Sequence, residues 1–144
     1  MLPALSFAAE GTVKVDGVRA GRPLALTAER QEKIGSLALE MLTSATYEAG
    51  QPIAPEQGWR RARQQAHLHV TFTPARTVSF RFSTTGPAVM REVEVAEILM
   101  RMVGDQWPEY ILVRQGGTVR AFAKYGAREG QALRSALDTG ATPR

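Results

Sequence analysis

The alternation of apolar and polar positions divides the chain into strands and helices before any other property is considered. Thr12-Val13-Lys14-Val15 alternates with period two, and Asp16-Gly17 is a dipeptide that tolerates positive φ, so Gly11 to Leu26 is predicted as a β-hairpin turning at Asp16-Gly17. From Ala28 the period changes. Ile34, Leu37, Ala38, Met41, Leu42 and Ala45 form one helical stripe, with Thr27 as N-cap, Glu29 in the first turn, and Gly50 and Pro52 as stop signals. A helix over 28–48 is expected, and Gly35 within it marks close packing against a sheet.

Residues 49–66 are expected to be largely irregular, with a short helix from Pro55 that places Trp59, Ala62 and Ala66 on one side and Arg60, Arg61 and Arg63 on the other. Period-two alternation returns at His67–Phe72 and Thr77–Phe82, and Thr73-Pro74-Ala75-Arg76 is predicted as the hairpin loop between two strands. Leu68, Val70, Phe72, Val78, Phe80 and Phe82 would face the core, and His67, His69, Thr71, Thr77, Ser79 and Arg81 would face solvent. Residues 87–103 fit either a helix or a strand. The Arg91–Val95 alternation favours a strand from about Met90, bulged or changing face near Ala96. Tyr110–Arg114 and Thr118–Lys124 flank Gln115-Gly116-Gly117 as a hairpin, and a last helix runs from about Ala127 to Leu137.

The predicted fold class is α+β: an N-terminal hairpin, one long amphipathic helix on a mainly antiparallel meandering sheet, and a short C-terminal helix. The order of elements is similar to that of cystatin-like helix-on-sheet folds. That similarity lies in element order and in no motif, so it implies an architecture and no activity. The 144 residues fit one domain over 1–137, with 138–144 as a flexible tail.

Composition narrows the chemistry. There is no cysteine, which removes thiolate nucleophiles, disulfides and thiolate metal sites. All but three of the 18 basic residues are arginine, and the net charge is +4. The 14 acids are interspersed with them, so no basic block of the kind that grips nucleic acid stands out. No apolar run is long enough to span a membrane, and the first residues lack the basic start of a leader. The expected location is the cytoplasm, or outside it if a leader has been removed.

Candidate sites are few. His67-x-His69, the only histidines, share a strand face, and Glu92 and Glu94 on a neighbouring strand would complete a two-histidine carboxylate metal site. No nucleophile elbow or phosphate loop is present, so no catalytic residue is assigned and no cofactor is called for. The expected role is a non-catalytic domain recognising a protein partner, with Trp59, Arg60, Arg61, Arg63, His69, Thr71, Arg81 and Trp107 as candidate contacts, since Trp and Arg dominate binding hot spots. Trp107 also reads as a plug at the end of the core. A metal-binding protein or small metal enzyme, and a weak binder of nucleic acid or anionic surfaces, are the alternatives.

Overall fold

The structure, a computed structural model, describes residues 11–49, 55–102 and 106–140. It is α+β, with seven strands in one antiparallel sheet and three helices among those residues. In chain order these are β1 (Thr12–Arg19), β2 (Arg22–Pro23), α1 (Ala28–Thr43), β3 (Tyr47–Ala49), α2 (Pro55–Arg63), β4 (His67–Phe82), β5 (Val89–Arg101), β6 (Tyr110–Gln115), β7 (Thr118–Ala123) and α3 (Ala127–Gly140). The sheet order is β2-β1-β4-β5-β6-β7-β3.

The hairpin turn does not fall at Asp16-Gly17. β1 runs straight through both residues, pairing Asp16 with His69 and Gly17 with Leu68, and the chain turns at Ala20-Gly21. Long-range pairing with β4 outweighs the local turn preference of Asp-Gly. Gly17 keeps a positive φ of 146°, and the His67 carbonyl occupies the space where a Cβ would sit.

Helix α1 starts as its cap predicts, with the Thr27 hydroxyl accepting from the Arg30 N–H. It stops five residues earlier than the stripe and Gly50 indicate. The Ser44 N–H closes the last turn on Glu40 and Met41, and Tyr47–Ala49 leave as strand β3. Thr43-Ser44-Ala45-Thr46 is a run of mostly poor helix formers, and the edge of β7 offers a better partner. Gly50 and Pro52 lie outside the described residues. Gly35 packs as expected: a Cβ there would lie 2.5 Å from Val13 Cγ1 of β1.

The largest correction is at Thr73–Arg76. No hairpin forms, and 67–82 is a single strand paired along its length with β5. The register shifts between Thr71 and Arg76, where residues 72–75 of β4 oppose Ala96 alone. Pro74, which has no N–H to donate, falls in this bulge. On β5 the inward face changes at Ala96, as the spacing predicts: Val93 and Val95 are buried before it, and Ile98 and Met100 after it.

The bulge lets the sheet curl on itself. β3 bonds to β7 on one side, and on the other Glu48 N–H donates to Ser83 O at 2.9 Å and Ser83 N–H to Thr46 O at 3.1 Å. Phe80, Phe82 and Phe122 meet inside this curl with ring centroids 4.8–5.5 Å apart. A bidentate pair, Arg120 to Glu48 at 2.6 and 2.8 Å, ties β7 to β3, and the hydrogen bond to Glu48 is the main cause that raises the Arg120 pKa.

One face of the sheet carries the main core under α1 and α3, with Ile34, Met41, Leu42, Leu133 and Leu137 against Leu68, Val70, Ile98, Ile111 and Phe122. The other face is not open. Helix α2 covers its centre, and Trp59 and Ala62 pack on Leu99, Leu112, Val119 and Ala121. Burial on both faces explains why Ile98-Leu99-Met100 and Ile111-Leu112-Val113 are apolar at consecutive positions rather than alternate ones.

Candidate functional site

The covered second face gathers most of the chain's notable polar chemistry. Trp59 stands at the middle of α2, 4% exposed. Its ring meets the His69 ring edge-on at 5.8 Å, and the Arg114 guanidinium lies 4.5 Å from its centroid. His69 therefore faces away from the main core, as its strand position predicts, but it is buried beneath the helix instead of solvated. His67 is buried too, with its Nδ1 2.7 Å from the Gln65 carbonyl.

Both nitrogens of His69 face carboxylates: Nε2 lies 2.7 Å from Glu97 on β5, and Nδ1 3.2 Å from Asp16 on β1. The ring thus bridges three neighbouring strands, leaving neither nitrogen for a substrate or a metal. Arg114 extends the cluster, 3.8 Å from Glu97 and 3.8 Å from Glu56 of α2. At those separations the contacts are ion pairs longer than hydrogen bonds, and their weight lies in holding Arg114 over Trp59.

The four metal candidates are not brought together. Glu92 and Glu94 oppose Ser79 and Thr77 on the far side of the bulge, both exposed, while His67 and His69 lie on the near side. No group of three or more His, Asp or Glu side chains among the described residues is arranged to hold a metal. The bulge also separates Arg81 from His69 and Thr71: Arg81 is exposed beside the Ala88 carbonyl. Trp107 lies elsewhere, against the main core, with its Nε1 donating to Gly130 O of α3 at 2.9 Å.

Of the expected contact residues, the α2 group remains together. Arg60, Arg61 and Arg63 are exposed, and none forms an ion pair with a described residue. Beside them a cleft of about 260 Å³ opens between α2 and the strands β5–β7. Ala62, Leu112 and Ala121 form its apolar floor, with Pro55 and Pro108 also lining it. Among the described residues, Arg61, Arg101, Glu109 and Tyr110 are its polar groups. Burial, then Glu109 and Tyr47, raise the Tyr110 hydroxyl above its ordinary 10.0, so at neutral pH it is a neutral donor. The Arg101 side chain donates a long bond to Gln65 Oε1, at 3.3 Å.

Arg101, Tyr110, Arg114 and Glu97 carry no signal as single residues. The opposition of Glu97 to Arg114 becomes visible only once β5 and β6 are set in register.

Gly58 lies in the cleft wall and inside α2. A Cβ there would meet only Leu112 Cδ1, at an ordinary 3.8 Å. Gly58→Ala is expected to stabilise the fold by about 0.5–1 kcal/mol, by removing the helix cost of glycine. A thermal melt checks this, and a lowered midpoint would mean that the wall is tighter than the geometry shows.

No protein-family model matches the chain, and neither the curated proteins nor the solved structures contain a match for it.

Proposed function

We propose that this protein is a non-catalytic binding domain that captures an acidic segment of a protein partner on the arginine face of α2. The observation that carries the proposal is the set of three exposed guanidiniums, Arg60, Arg61 and Arg63. They lack ion-pair partners among the described residues and sit on a helix anchored by the buried Trp59. Guanidinium forks grip carboxylates two bonds at a time, and arginines on a pre-positioned helix lose less freedom on binding than arginines on a loop.

A protein partner is favoured over nucleic acid by the company these arginines keep. Glu56 on the same helix and Glu109 in the cleft interrupt the positive surface, which a run of phosphates would meet unfavourably. Separate carboxylates with neutral residues between them fit that pattern better.

The test is fluorescence anisotropy with a Glu-rich peptide at low and moderate salt. Wild type is expected to bind it. Arg60→Glu combined with Arg63→Glu is expected to weaken binding roughly tenfold with the melting curve little changed. Unchanged affinity in that variant, or preference for a single-stranded oligonucleotide over the peptide, would overturn the proposal.

A further inference from the structure

The cleft beside α2 differs from the helix's outer face, because its floor is apolar. Leu112 and Ala121 form part of that floor, from strands buried on both faces, and α2 supplies Ala62. Among the described residues, two guanidiniums, Arg61 from α2 and Arg101 from the end of β5, border this floor together with the carboxylate of Glu109. The volume of about 260 Å³ falls below the ~300–1,000 Å³ of sites that enclose a whole small molecule. It is a space for one large side chain of a longer ligand.

We infer that the cleft selects, within an acidic segment, a single large apolar residue flanked by carboxylates. The apolar side chain would rest on Leu112 between Pro55 and Pro108, and the flanking carboxylates would pair with Arg61 and Arg101. Charge complementarity picks the class of segment, and the apolar floor picks the residue within it. Removing a Phe-sized surface from water supplies a gain that exposed ion pairs lack. The Tyr110 hydroxyl, a neutral donor, offers a hydrogen bond to the backbone of the bound segment.

This inference rests on the proposed capture of an acidic segment, and the test separates the two. Three synthetic peptides of equal length are titrated by anisotropy: one Glu-rich with a central Phe, one with Ser in place of that Phe, and one keeping the Phe with its Glu residues replaced by Gln. Wild type is expected to bind the first at least tenfold more tightly than either of the others. Gly58→Leu, which fills the cleft from the helix side, is expected to bind the first two equally, at the wild-type affinity for the Ser peptide. Equal wild-type binding of the Phe and Ser peptides overturns the apolar selection and leaves acidic capture standing. Binding of none of the three removes both. Equal binding of the Phe peptides with and without Glu overturns the pairing with Arg61 and Arg101. The wild-type ratios decide even if Gly58→Leu melts early.

Discussion

Trp59→Ala is expected to cost about 3–5 kcal/mol of folding stability, the range for deleting a buried Trp. The side chain is 4% exposed and is the largest member of the cluster with Ala62, Leu99, Leu112, Val119 and Ala121 that holds α2 to the sheet. Its loss also leaves His69 without its edge-on contact and Arg114 without the ring it covers. Against a total of about 5–15 kcal/mol for a domain of ordinary stability, the loss is large. Chemical denaturation followed by circular dichroism measures it. Because Arg60, Arg61 and Arg63 ride on the same helix, peptide binding is expected to fall with it. A cost below about 1 kcal/mol would show that α2 is held by something other than this ring.

The second large effect is expected at Gly17. Gly17→Ala meets two penalties: a φ of 146°, which L residues rarely adopt, and a Cβ driven into the backbone carbonyl of His67. Strain and overpacking together amount to roughly 3 kcal/mol or more. A backbone atom does not swing aside as a side chain does, so relief comes only by lifting β1 from β4. That movement separates Asp16 from His69, and the loss reaches the layer beneath α2. Gly21 is the internal control. It too has a positive φ, 77°, but nothing lies within 4 Å of a Cβ there. Gly21→Ala is expected to cost only the conformational share, about 1 kcal/mol. Equal melting points for the two variants would mean that β1 does not approach β4 as closely as described.

The elements differ in how legible they were. The start of α1 and the β6–β7 hairpin around Gly116 depend on neighbours a few residues apart, and each could be read from the chain; 87–103 fitted a helix as well as a strand, and pairing with β4 made it β5. The end of α1 could not be read in this way, because Tyr47–Ala49 belong to the edge of β7, more than seventy residues away. The Thr73–Arg76 segment has the chemistry of a hairpin loop, yet β5 is long enough to pair with both halves of 67–82 and turns that loop into a bulge. For the candidate site, the sequence placed Trp59, Arg60, Arg61 and Arg63 on one short helix, and the structure has them on one helix. The sequence missed Arg101 and Tyr110, which join them only through the fold.

The histidines show the division most clearly. Alternation along 67–72 placed His67 and His69 on the face opposite Leu68 and Val70, and that assignment holds. Whether the face is wet or dry is a different kind of fact. Period two determines which side of a sheet a residue faces, because it follows from local backbone geometry. What lies over that side depends on where α2 docks, and docking is settled by contacts of Trp59 and Ala62 with strands far along the chain. The sequence by itself therefore determined where α1 begins, the alternating faces of 67–72 and the arginine-rich composition, while the types of 47–49 and 73–76 waited on their long-range partners. Only the tertiary structure decided that one histidine would be clamped between Asp16 and Glu97, and that Arg61 and Arg101 would meet at one cleft.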